Sequence, residues 1–335
     1  MSLDYTMPDR DHVPRSLPDR FAGCLLGLAI GDSLGSHFEG QSPEYVARQV
    51  RSVEDLFLRP PRGEMWYTDD TQMAIGVAET LVACGAIENS KLCERFAANY
   101  APERGYGRGA RAILQAMVDG EDHQLYATNY FPGGSFGNGA AMRVAPIGVF
   151  FRDDHDVIWE QARLSSLPTH VHPLGVEGAQ LIALAVALAS ATERLDRSQF
   201  LSQLAARCTS LEYSGPLRRA VQIQDRRDLA LFGNGIEATS SVVTAIASFV
   251  LTPESYKEAI GNVILIGGDT DTIAAMAGAI SGAYLGLSAL PERLLDVLED
   301  GYQGRRYIQQ LAADLLSAYE RKSGAQSSTS APPLD

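Results

Sequence analysis

Residues 267–290 read GGDTDTIAAMAGAISGAYLGLSAL. From Ile273 to Leu290 no residue is charged, and apolar positions do not alternate with polar ones, so this is not a half-buried strand. A helix over Thr272–Leu287 accounts for the pattern. It is apolar on every side, and such a helix is buried on every side. The run is about as long as the shortest membrane spans. However, it is rich in Gly and Ala rather than Leu, and acidic residues stand directly before it, which places it at the centre of a soluble protein. Gly278, Gly282 and Gly286 fall four apart on one face, where small residues let a second backbone approach; packing alone explains them.

The rest of the chain follows the same period. Phe21–Ile30, Gln72–Cys84, Lys91–Tyr100, Arg108–Met117, Ala140–Phe151, Val176–Ala191 and Ser240–Leu251 all read as helices, several nearly wholly apolar. Strand-like alternation is almost absent, which argues against a doubly wound sheet. The expectation is an all-α fold, a single compact multi-helix domain over residues 18–321, with a polar tail over 1–17 and a tail of disordered composition over 322–335.

The formal net charge of -13 disfavours unspecific binding to nucleic acid, whose phosphates would be repelled. A local cluster of N–H groups or a bound cation still allows a phosphate-bearing ligand. The four cysteines, Cys24, Cys84, Cys93 and Cys208, show neither metal-ligand nor redox spacing and read as buried small hydrophobes. With no apolar leader in the first residues, a cytoplasmic monomer without membrane contact is expected.

Two acidic segments carry the chemistry. Thr68-Asp69-Asp70-Thr71 and Asp269-Thr270-Asp271-Thr272 each precede an apolar helix. One capping side chain satisfies a helix start. The additional carboxylates repel one another unless a cation lies among them. Carboxylates with Thr hydroxyls form a hard oxygen set that suits Mg²⁺, Mn²⁺ or Ca²⁺ rather than zinc or copper, and four Asp side chains are enough for two ions. The His170-x-His172 pair is a rival metal site without a third partner at helical spacing; His170 reads better as a ligand contact.

Two glycine loops complete the set. Pro132–Gly139, PGGSFGNG, runs into a helix expected from Ala140, and Arg104–Gly109, RGYGRG, opens another. N–H groups converging in such turns suit a phosphate or diphosphate. Tyr130 and Phe136 flank the first loop, where they either stack on a base or fill the core. Glu39 lies in a Gly-rich loop and has no role that spacing alone assigns.

The segments GCLLGLAIGDSLG, WYTDDTQMA, RGYGRG, GSFGNGAAMRVAPIG, THVHPLG, FGNGIEATSSVVTAI and GGDTDTIAAMAGAISGAYLG, in this order, resemble the ADP-ribosylglycohydrolase family, which includes the enzyme that reactivates dinitrogenase reductase. The resemblance implies an all-helical hydrolase with two Mg²⁺ or Mn²⁺ ions on Thr68, Asp69, Asp70, Asp269, Asp271 and Thr272. Within the family the chain is most similar to the branch that removes ADP-ribose from serine and degrades poly(ADP-ribose) and O-acetyl-ADP-ribose. That branch implies Glu39 as the catalytic carboxylate; by the two-carboxylate logic of glycoside cleavage, Asp269 is the metal-site carboxylate expected to help activate the water. The branch also implies phosphate contacts at Gly105 and at Gly134, Ser135, Phe136, Gly137, Asn138 and Gly139, adenine near Tyr130 and Phe136, and a ligand contact at His170. Pro146 looks more like the arginine-specific branch. An arginine-specific hydrolase and a non-catalytic ADP-ribose-binding relative are the alternatives.

Overall fold

The structure, a computed structural model, describes residues 15–58 and 63–329. Most of the expected N-terminal tail, residues 1–14, lies outside that range. Among the described residues there is no strand, only the isolated bridges Gln41–Gly268, Met65–Leu298 and Gly137–Glu237.

Two helices form the axis of the core, Leu17–Gly35 and Thr270–Leu285. The second is buried along its whole length and the first from Arg20 onward, as their all-round apolar sequences require. They run antiparallel with backbones in contact. A Cβ on Gly23 would lie 2.4 Å from the Gly282 carbonyl oxygen, one on Gly27 2.5 Å from that of Gly278, and one on Gly31 2.1 Å from that of Ala274. The last rung joins Gly35 to Thr270, whose hydroxyl donates to the Gly35 carbonyl at 2.8 Å. Gly286 continues this contact at the end of the second helix: a Cβ on Gly23 would also lie 2.6 Å from the Gly286 carbonyl carbon, and at φ 84° Gly286 itself faces the Asp19 carboxylate of the first helix.

Pro173–Ala191, Ala238–Leu251 and Tyr256–Leu265 pack around this pair. Pro173–Ala191 is long and apolar enough to cross a membrane by length and composition, but 83% of its apolar window is buried in the protein. Arg20, itself buried, ties the far end together. Its guanidinium donates to the carbonyls of Ala189, Ala283 and Tyr284 at 3.0–3.2 Å and pairs with Glu193 at 2.6 Å. A cation there complements two helix C-termini.

Outer helices such as Arg108–Asp119 bury one face only, through Gly109, Ile113, Leu114 and Ala116. The last helix, Arg305–Thr329, continues past residue 321, where a tail was expected. Lys322 holds it there, with its ammonium 4.3 Å from the Phe151 ring centroid. The second correction concerns Ala140–Phe151. The chain makes a short 3₁₀ turn at Asn138–Ala140, and the α-helix begins only at Ala145.

Candidate active site

The Gly35–Thr270 rung sets the end of one core helix against the start of the other, and the loops that continue from both are stapled together. Gly40 N–H donates to the Gly268 carbonyl at 2.8 Å, and Gly268 N–H to that of Gln41 at 2.9 Å. Gly267 and Gly268 have φ of 69° and 84°, which favour glycine. Asn234 holds this turn, donating to the carbonyls of Ile266 and Gly267 and accepting Asp269 N–H on its own. Glu39 is thereby fixed beside Asp269. One oxygen from each of Glu39, Asp269 and Asp271 lies within 4.8 Å of the others. Glu39, expected apart from the metal ligands, is thus also within ligand range.

The Asp69–Cys84 helix brings the second acidic segment. Thr68 caps it, its hydroxyl accepting Asp70 N–H at 3.4 Å. Asp269 occupies the N-cap position of its own helix but makes no capping hydrogen bond there; it accepts from Asn138 Nδ2 at 2.5 Å. These carboxylates are therefore not spent as caps. Asp70 Oδ1 is buried with no hydrogen-bond partner. Thr68 and Thr272 hydroxyls point at its other oxygen, at 3.1 and 3.4 Å.

Burial and mutual repulsion raise every acid in the cluster. Asp69 is pushed up to about 7 by burial and then by Asp32, and Asp271 to about 9 by burial and then by Asp269. Asp70 stands well above the ordinary range for the same reasons, and burial followed by Asp269 raises Glu39. An orphaned buried carboxylate oxygen, crowded acids and two hydroxyls fit a hard divalent cation.

These residues line a cleft of about 640 Å³. Thr68, Asp69, Asp70, Asp269, Asp271, Thr272 and Glu39 border it together with Gly105, Tyr130, Ser135, Phe136, Gly137, Asn138, Gly139 and His170. Gly134 does not. At φ 90° its α-carbon turns against His172, where a Cβ would lie 2.5 Å from the backbone nitrogen. Its role is to shape the loop. The loop itself is anchored by Asn138 N–H to the Ile236 carbonyl and by Ala238 N–H to that of Phe136, both at 3.0 Å. Tyr130 and Phe136 are 51% and 49% exposed on the cleft, which settles them as surface rings rather than core. His172 is spent as the cap of the Pro173–Ala191 helix, so the His-x-His pair is not a metal site.

Three participants were not legible in the sequence. Asp32, fully buried, accepts Thr68 N–H, Thr71 N–H and the Thr71 hydroxyl, which fixes the start of the Asp69 helix from a neighbouring helix. Burial raises it to about 6 against those hydrogen bonds. It lies just past the helix expected over Phe21–Ile30 and within a resembling segment, but nothing local assigned it a role. Asn234 and Arg143, the latter a buried arginine bordering the cleft, lie in two of the resembling segments, but nothing local to either assigned it a role.

Comparison with known proteins agrees with this geometry. The family model for ADP-ribosylglycohydrolase matches residues 14–325. ADP-ribosylhydrolase ARH3 of Homo sapiens is 36% identical over 323 residues, covering 83% of this chain and 88% of the relative. The Gallus gallus protein of the same name is 37% identical over 332 residues, with the same coverage. ADP-ribosylarginine hydrolase Tri1 of Pseudomonas putida (strain GB-1) is 27% identical over 317 residues, covering 90% of this chain and 79% of the relative. A solved structure described as an ADP-ribosylglycohydrolase-related protein complex superposes with a TM-score of 0.66 at 26% identity, covering 91% of this chain and 100% of that one.

Proposed function

The chain belongs to the ADP-ribosylglycohydrolase family and is a glycosidic-bond hydrolase, and from that premise we propose that it cleaves the bond at the distal ribose of ADP-ribose attached to protein serine, to poly(ADP-ribose) or in O-acetyl-ADP-ribose. The observation that carries this reading is the convergence of Glu39 with Asp269 and Asp271 in a cleft that also holds the glycine loop and two exposed rings. Similarity to the ARH3 proteins supports the substrate branch.

Thr68, Asp69, Asp70, Asp269, Asp271 and Thr272 would hold two Mg²⁺ or Mn²⁺ ions. When bound, such ions supply Lewis-acid polarisation of ribose hydroxyls and water. Glu39 performs the acid step. Burial and the neighbouring Asp269 raise its pKa, the direction an acid requires, and its proton passes to the serine or ribose oxygen as that oxygen leaves the anomeric carbon. Asp269, oriented by Asn138, accepts a proton from the attacking water, whose oxygen becomes the anomeric hydroxyl of free ADP-ribose. Phe136 and Tyr130 receive the adenine, and the Ser135–Gly139 stretch that borders the cleft, with Gly105, receives the phosphates.

Arginine-linked ADP-ribose is the second reading, favoured by the likeness to the Pseudomonas putida hydrolase. Pro146 adds nothing to it, because that residue is buried at the start of its helix and does not border the cleft. Release of ADP-ribose from serine-linked peptide, arginine-linked peptide and polymer, each with Mg²⁺, Mn²⁺ or chelator, decides between them. Metal-dependent release from serine or polymer is expected; release from arginine alone would move the substrate assignment. Glu39→Gln should abolish turnover and keep ADP-ribose affinity, and near-normal turnover would exclude the acid role.

A further inference from the structure

Arg143 is 1% exposed and forms no ion pair with a carboxylate among the described residues. Its Nη1 donates to the Gly139 carbonyl at 3.1 Å, and its Nη2 to the Ser165 carbonyl at 2.8 Å and to the Thr169 hydroxyl oxygen at 2.9 Å. Its Nε has no partner. A buried guanidinium without a counter-ion is costly, so its place directly beneath the glycine loop calls for an explanation.

The chain of contacts continues. Thr169 Oγ1 lies 2.7 Å from His170 Nδ1. A guanidinium can only donate, so it occupies a lone pair of the Thr169 oxygen and leaves that hydroxyl one hydrogen to place. Among the described residues the hydroxyl has no acceptor other than Nδ1. If Nδ1 carried a proton, Thr169 would be left with a buried O–H donating to nothing. Nδ1 is therefore the acceptor and Nε2 carries the hydrogen. Burial, followed by the Arg143 charge, holds the ring neutral, with its pKa pushed down to about 3. Nε2 faces the glycine loop, 3.3 Å from where a Cβ on Gly139 would stand and 3.9 Å from one on Gly137.

We propose that Arg143, Thr169 and His170 form one anion-recognition chain, in which the first two fix His170 as an Nε2–H donor to a diphosphate oxygen held in the Gly137–Gly139 loop. The inference rests on reading the cleft as the ADP-ribose site, and adds to it the residues that make the phosphate contact a donor. Arg143 and Thr169 are positioning residues. The bound diphosphate supplies the counter-charge that the guanidinium lacks, on a protein whose net charge of -13 otherwise opposes anions.

The test is the imidazole ¹⁵N spectrum of His170 in ligand-free protein, with ADP-ribose and adenosine affinities of Thr169→Ser and Thr169→Val. Wild-type Nε2 should be pyrrole-type and Nδ1 pyridine-type. Thr169→Val should lose that single-tautomer pattern and bind ADP-ribose about tenfold more weakly, with adenosine unaffected. Thr169→Ser, which keeps the hydroxyl, should restore both. A wild-type His170 protonated on Nδ1, equal losses in the Ser and Val variants, or an equal loss for adenosine would each overturn the chain. The wild-type spectrum needs no variant to fold. Wild-type protein that binds no ADP-ribose would instead refute the reading of the cleft.

Discussion

Stripping the protein of divalent cations should make its stability fall steeply as pH rises. The acids of the cluster have higher pKa values folded than unfolded. A carboxyl raised by folding holds its proton longer in the native state. The stability this gives is fully present below the unfolded value of 3.8 and is lost as pH rises through the folded one. The losses accumulate from 3.8 upward and are complete near pH 6 for Asp32, 7 for Asp69 and 9 for Asp271. At about 1.4 kcal/mol per pH unit, Asp69 loses about 4 kcal/mol between 3.8 and about 7, of which about 1.4 kcal/mol falls above pH 6. Asp271, raised to about 9, loses about 3.5 kcal/mol between pH 6 and 8.5. Together these are a large share of the roughly 5–15 kcal/mol that holds a domain together. Thermal unfolding in chelator should therefore show a Tm several degrees lower at pH 8.5 than at pH 6. Added Mg²⁺ or Mn²⁺ should reverse the loss, by about 2.7 kcal/mol at a hundredfold excess over Kd, and more at high pH, because the cation competes with protons for the same oxygens. A chelated protein equally stable at both pH values, or a cation effect of equal size at both, would show that these acids are neither crowded nor joined by the ion.

Asp32→Asn should cost about 1–3 kcal/mol in melts at pH 6, because an amide N–H₂ would face the Thr68 or Thr71 donors, and should weaken cation affinity in titration. The cost in chelator should shrink at pH 8.5, where losing one negative charge relieves Asp69 and Asp70. Phe136→Ala, on a half-exposed ring, should leave Tm nearly unchanged and reduce ADP-ribose affinity by about tenfold, the scale of one stacked base; unchanged affinity would remove the ring from the ligand site. Gly31→Ala should cost about 1–3 kcal/mol or more and also lower cation affinity, since the new Cβ would meet the Ala274 carbonyl oxygen at 2.1 Å and backbone cannot move aside as a side chain can.

What the sequence made legible depends on how local the cause is. Helices that are apolar all round announce themselves, so Pro173–Ala191, Ala238–Leu251 and Thr270–Leu285 were expected within a few residues of their observed bounds, whereas Leu17–Gly35 was expected only over Phe21–Ile30 and Tyr256–Leu265 was not expected. The Asp and Thr clusters were equally plain, because one helix start cannot use so many oxygens. The helix expected from Ala140 failed for a local reason that was present but unread. Proline belongs in the first turn of a helix, and Pro146 puts that turn at Ala145. Asp32 and Arg143 could not be read in the same way. One caps a helix 36 residues away and the other donates across 26, so their partners exist only after folding. In sequence each is one more charged residue.

The glycines of the core show why fold and site cannot be separated here. Read as packing alone, Gly278 and Gly282 explain only how two helices touch. In the structure each rung, from Gly23–Gly282 through Gly27–Gly278 and Gly31–Ala274 to Gly35–Thr270, is one step toward the point where Glu39 meets Asp269. A larger side chain on any rung would wedge the backbones apart, and the two acidic loops hang from those same backbones through the Gly40–Gly268 and Gly268–Gln41 hydrogen bonds. The distance between the Glu39 carboxylate, which follows the first helix, and carboxylates from the second is therefore set largely by glycines and one alanine, with the Thr270 hydroxyl closing the last rung. It follows that substitutions in this stripe, far from any ligand contact, should alter cation affinity in proportion to their nearness to Gly35, with Gly31 more harmful to the site than Gly23 at equal cost to stability.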